Sequence, residues 1–93
     1  MKVHVKYTAQ LRAALQRAED TVELPTGTSL LTLLTHLAER DQAGRAHLLS
    51  SSGQANANLL IVVNESAIQA GNASSVELKA GDTVLLLPPI AGG

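Results

Sequence analysis

The sequence predicts an α+β domain of two layers, a mixed sheet of four to five strands packed on one main helix. Three observations carry that prediction. Apolar and polar residues alternate from Met1 to Tyr7; a leucine stripe recurs with helical spacing from Leu30 to Ala38; and two apolar runs too short for helices, Leu59 to Val63 and Thr83 to Leu87, fill the second half. A helix and a sheet each need an apolar partner, so one strong helix beside several strands implies a helix laid across one sheet face.

In Met1–Tyr7, Val3, Val5 and Tyr7 share one face and Lys2, His4 and Lys6 the other, the period of a half-buried strand. Leu11, Ala14, Leu15 and Ala18 then fall at i, i+3, i+4 and i+7, one stripe of a short amphipathic helix. Thr21 to Leu24 read as a second strand, stopped by Pro25 and the turn residue Gly27. The two strands and the helical turn between them form a widened hairpin.

Thr28 or Ser29 is placed to cap the main helix. Leu30, Leu33, Leu34, Leu37 and Ala38 carry its apolar stripe to about Arg40, leaving Thr32, Thr35, His36, Glu39 and Arg40 toward water. From Gln42 to Asn58 periodicity is lost, and SSSGQANAN, Ser50 to Asn58, is expected to be a flexible surface loop. Leu59 to Val63 form a strand, Asn64 and Glu65 a turn, and Ser66 to Ile68 a short edge strand. GNASS is expected to be another loop. In KAGD, Lys79 to Asp82, Gly81 supplies the positive φ of a tight turn before the last strand, Thr83 to Leu87.

Composition narrows the function. Ninety-three residues, 45% of them hydrophobic, suit one domain over 1–93 with a core of its own. Tyr7 is the only aromatic residue, which argues against recognition by base or sugar stacking. A net charge of −1 offers no basic patch for nucleic acid. The absence of cysteine removes disulfides, thiolate nucleophiles and cysteine metal sites. No signal peptide and no apolar run of about 18 residues is present, so no membrane partner is expected and the cytoplasm is the expected location. His4, His36 and His47 share no metal-ligand spacing. Ser50, Ser51 and Ser52 lack the context of a nucleophile elbow. Arg40, Arg45 and Lys79 read as solvated charges, with guidance of an acidic partner as the alternative.

The chemistry is expected at the end, LLLPPIAGG, Leu85 to Gly93. Pro88 and Pro89 fix φ and lack N–H groups, so they end sheet pairing and stiffen the exit from the last strand. Ile90 offers a partner one apolar anchor, and Ala91, Gly92 and Gly93 present almost no side-chain width. Such a tip threads a narrow channel and brings the Gly93 carboxylate to chemistry inside another protein. A carboxylate becomes an acyl donor only after activation, most simply by ATP-dependent adenylation. The acyl group then accepts sulfide, giving a thiocarboxylate, or an amine, giving an isopeptide. Leu86, Pro88, Pro89 and Ile90 form a candidate docking strip around this tail, with Leu86 assigned equally well to the core.

These residues resemble the MoaD/ThiS family of ubiquitin-like sulfur carriers. AGDTVLLLPPIAGG, Ala80 to Gly93, is similar to the family's G-D-x-V-x-x-x-P-P-V-x-G-G ending, and VVNE, Val62 to Glu65, to its V-N turn. The paired prolines resemble the molybdopterin-synthase branch more than the thiamine branch. The resemblance implies a β-grasp, or ubiquitin-like, topology and a carrier that is a co-substrate rather than an enzyme, with no bound cofactor. It implies an adenylyltransferase related to ubiquitin-activating enzymes that uses ATP at Gly93, a sulfurtransferase that supplies sulfur, and the molybdopterin synthase large subunit as acceptor partner. The other outcomes open to the same tail are a carrier for thiamine, cysteine or tRNA thiolation, a protein modifier joined to lysines through Gly93, and an interaction domain with an inert tail. Family members often carry Phe where this chain has Leu85, Leu86 and Leu87, and the stretch from Ser50 to Asn58 matches poorly.

Overall fold

A computed structural model describes residues 1–88. Strand β1 spans Lys2–Tyr7, with Val3, Val5 and Tyr7 buried and Lys2, His4 and Lys6 exposed, as the alternation requires. Helix α1, Ala9–Leu15, buries Leu11 and Leu15 and ends at Gln16, whose φ of 57° breaks the helix in the left-handed region. Strand β2 is Glu19–Glu23, starting two residues earlier than the pattern predicts. Glu19 and Asp20 are poor strand formers by composition, but they pair with Lys6 and Val5 of β1.

Helix α2, Leu30–Arg40, is capped by Ser29, whose Oγ accepts from the backbone N–H of Thr32 at 3.1 Å. Thr28 is excluded from that role because its hydroxyl donates to the Pro25 carbonyl. Leu30, Leu33, Leu34, Leu37 and Ala38 are the buried face of α2, as the stripe predicts.

The Gln42–Asn58 stretch is more structured than a featureless loop. A 3-10 turn at Gln42–Gly44 leads into helix α3, Arg45–Leu48, and an isolated bridge pairs Leu49 with Ala55. Leu48, Leu49 and Ala55 are buried, and the intervening turn is closed by the Ser50 N–H on the Gln54 carbonyl at 2.8 Å. Likewise the GNASS segment lies within a 3-10 helix at Ala70–Ser75 that buries Ala73. Small residues hide these elements from periodicity, while burial of a few apolar groups holds them.

Strands β3, Leu60–Val63, β4, Ser66–Ile68, and β5, Thr83–Leu87, complete one sheet in the order β2-β1-β5-β3-β4. β5 runs parallel to β1 and antiparallel to β3. The α2 residues, Val3, Val5, Tyr7, Val22, Ile61, Val84 and Leu86 share one aliphatic core between the helix and one sheet face. This is the β-grasp arrangement, with the last strand at the centre of the sheet and β4 at its edge.

Candidate functional site: the open sheet face and the end of the last strand

Because β5 is central, both of its faces matter. Val84 and Leu86 point into the core and are fully buried, whereas Thr83, Leu85 and Leu87 lie half-buried on the opposite face, away from α2. Leu86 is therefore a core residue, and its assignment to the docking strip is corrected. It pairs with Ile61 and Tyr7 across the sheet, and all three face the helices. Pro88 is also buried by its own chain. Pro89, Ile90, Ala91, Gly92 and Gly93 lie outside the described residues.

The open face is built by register. Lys6, Leu85, Val62 and Ala67 stand side by side across β1, β5, β3 and β4, and Leu87 pairs with Leu60 in the next row toward the exit of β5. Leu60 is 63% exposed, a large aliphatic group left in water. Beside it runs an open groove of about 690 Å³ whose lining includes Ala57, Leu60, Val62, Ala67, Ala70 and Leu87. A contiguous apolar surface of this kind marks an interaction site. Leu60, Val62, Leu85 and Leu87 are the residues that pattern reading missed. Their signal was present: a strand with one solvated face alternates, but LLIVV and VLLL do not.

Both ends of β5 are fastened by side chains. At its start, Asn64 adopts φ 50° and its Oδ1 accepts from the Thr83 N–H at 3.0 Å, while its Nδ2 donates to Asp82 Oδ1 at 3.0 Å. Asp82 Oδ2 accepts from the Lys79 N–H at 2.8 Å, and Gly81 takes φ 85° within that turn. At its end, the Thr8 hydroxyl donates to the Leu86 carbonyl at 3.1 Å.

The remaining charged groups are distributed rather than gathered into a reaction centre. Arg40 Nη2 is 2.7 Å from Asp20 Oδ2, so this arginine is engaged within the chain instead of free to guide a partner. Partial burial works against the Asp20 carboxylate, but the Tyr7 hydroxyl and the Arg17 and Arg40 guanidiniums outweigh it and lower its pKa. Burial first, then the bond to Asp20, push the Tyr7 hydroxyl well above its ordinary range. Among the described residues no group of three His, Cys, Asp or Glu side chains is placed to hold a metal ion. Ser50 Oγ meets Ser52 Oγ at 2.9 Å in an exposed turn. No helix among the described residues is long and apolar enough to cross a membrane.

A β-grasp sheet with an apolar open face, leading through a paired-proline segment to Gly-Gly, defines a ubiquitin-like carrier. The ThiS family model matches residues 5–93, and the chain belongs to that family of sulfur carriers. It is 30% identical over 93 residues to the molybdopterin synthase sulfur carrier subunit of Drosophila melanogaster, covering 100% of this chain and 92% of that protein. A Pyrococcus furiosus protein described as molybdopterin converting factor subunit 1 is 27% identical, with a TM-score of 0.76 over 97% of this chain and 99% of its own. SAMP1 of Haloferax volcanii shares the fold at a TM-score of 0.87, 20% identity and full coverage of both chains.

Proposed function

We propose that this chain is the cytoplasmic sulfur carrier of molybdopterin synthesis and that residues 1–93 act as one carrier domain. An oxygen of the Gly93 carboxylate attacks the α-phosphate of ATP on an adenylyltransferase related to ubiquitin-activating enzymes, and pyrophosphate leaves. The persulfide of a sulfurtransferase then displaces AMP to give an acyl disulfide, and a thiol reductant cleaves its S–S bond to leave the thiocarboxylate. The carrier docks on the large subunit of molybdopterin synthase, where the thiocarboxylate sulfur bonds to a pterin precursor and water cleaves the acyl–sulfur bond, regenerating the carboxylate. ATP belongs to the activating partner, and the carrier binds no cofactor of its own. The catalytic side chains belong to the partners.

The observation that carries this reading is 30% identity to a molybdopterin synthase sulfur carrier subunit over an alignment that covers the whole of this chain. The structure adds a reason for partner capture. Leu60, Val62, Leu85 and Leu87 offer an apolar platform beside the exit of β5, which Pro89 and Ile90 extend in sequence. Ala91 and Gly92 are the thin segment that enters the partner's channel. Placement must be close, since a displacement of about 1 Å at the reacting carbon costs about a hundredfold in rate.

A second reading, a protein modifier joined to lysines through Gly93, is supported by fold likeness to SAMP1, a small archaeal modifier protein. The intact mass of protein purified gently from its host separates the two. Replacement of one oxygen by sulfur, localised to Gly93 by fragmentation, supports the carrier. Gly93 joined to lysine side chains supports the modifier. A carboxylate left unchanged after incubation with ATP, a sulfur source and host extract overturns the carrier reading. Deleting Gly92 and Gly93 is expected to abolish sulfur transfer while leaving folding unchanged.

A further inference from the structure

Thr8 joins β1 to α1 and occupies the N-cap position of the helix, with extended φ and ψ of −133° and 163°. A threonine there ordinarily turns its hydroxyl back to accept from the first free N–H groups of the helix. Thr8 makes no such side-chain bond. Only its backbone carbonyl serves α1, accepting from Leu11 and Arg12 at 3.2 Å. The hydroxyl instead reaches across 78 positions of sequence to the Leu86 carbonyl, in a partly buried contact.

The place of that contact gives it meaning. The parallel pairing of β1 with β5 ends at Tyr7 and Leu86, and that of β3 with β5 ends at Leu60 and Leu87. The next two residues are prolines, which donate no backbone hydrogen bond. On the β1 side, the Thr8 hydroxyl thus makes the last bond to β5 among the described residues, just before the prolines. We infer that Thr8 is a positioning residue for the carrier's tail, fixing the end of β5 so that Gly93 reaches the adenylation site in a productive geometry. This rests on the carrier reading above. The bond contributes to the direction of departure rather than to partner affinity, because it lies within the chain and leaves the open apolar face untouched.

The test compares wild type, Thr8→Val, Thr8→Ala and Thr8→Ser in ATP–pyrophosphate exchange with the host adenylyltransferase, varying carrier concentration. Amide exchange of the β5 peptide is measured in parallel. Val and Ala are expected to raise amide exchange at the end of β5 and to lower kcat about three- to tenfold with KM unchanged, the loss of one neutral hydrogen bond. Ser, which restores the hydroxyl, is expected to restore kcat. A kcat equal to wild type in either folded variant, or an effect confined to KM, overturns the assignment. A wild-type chain that is never adenylated overturns the carrier reading and this inference together, whereas an adenylated wild type beside an equally active Thr8→Val overturns this inference alone.

Discussion

The hydroxyl of Tyr7, the chain's only aromatic residue, donates to Asp20 at 2.9 Å, joining the end of β1 to the start of β2. Asp20 also receives Arg17 from the α1–β2 connection and Arg40 from the last turn of α2. One carboxylate therefore ties two strands and the main helix at the same corner of the fold. The Tyr7→Phe change keeps the buried ring and deletes only the donor. It is expected to lower unfolding free energy by about 1–2 kcal/mol, read from the denaturant midpoint, because the lost bond is to a charged acceptor.

The same cluster makes stability depend on pH in two directions. Asp20 has a lowered pKa, so its contribution is complete above the ordinary value of 3.8 and is lost as pH falls through the lower folded value. Tyr7 has a raised pKa, so its contribution is complete below the ordinary value of 10.0 and is lost as pH rises beyond it toward the folded one. In Asp20→Asn the acid-side dependence is expected to flatten. The loss at neutral pH is expected to be small, about 1 kcal/mol, because both arginines are well exposed and solvent screens them. Thermal unfolding followed from acid to alkaline pH checks both limbs.

Asn64 combines a left-handed backbone with two side-chain bonds that start β5. Asn64→Gly relieves the backbone demand but loses both bonds, whereas Asn64→Ala loses the bonds and keeps a Cβ at positive φ. Alanine is therefore expected to be the more destabilising of the two by about 1 kcal/mol. Equal destabilisation would assign the whole role of Asn64 to its side chain.

Much of this architecture is written locally. The alternation of Val3, Val5 and Tyr7, the stripe from Leu30 to Ala38 and the Gly81 turn each announce their element, because each reflects a repeat or a backbone requirement. The elements that escape are those settled at a distance. Ala55 and Ala73 become core residues only when the sheet and helices enclose them, and small residues carry no periodicity of their own. Glu19 and Asp20 enter a strand because β1 pairs with them and because Arg40, distant in sequence, arrives beside the carboxylate. The parity of β5 is hidden for a related reason. In a run of leucines either face looks apolar, and only pairing with Ile61 and Tyr7 turns Leu86 inward. The Gly-Gly end is an expectation drawn from its own residues alone, whereas the apolar platform of Leu60, Val62, Leu85 and Leu87 needed the register of three strands.

That division between inward and outward leucines gives the last prediction. Leu86 is fully buried, and Leu86→Ala is expected to cost about 2–5 kcal/mol of stability through lost burial and the cavity left behind. Leu60 is 63% exposed on the opposite face, and Leu60→Ser is expected to change stability by no more than about 0.5 kcal/mol. Its effect is expected in partner capture instead. If Leu60 anchors the apolar platform, the serine variant binds the activating partner about tenfold or more weakly, the cost of removing a contact worth over about 1.4 kcal/mol. Titration of each folded variant against the host adenylyltransferase reads this directly. Unchanged binding by Leu60→Ser would move the docking surface off this sheet face, while a stability loss like that of Leu86→Ala would contradict the exposure of Leu60.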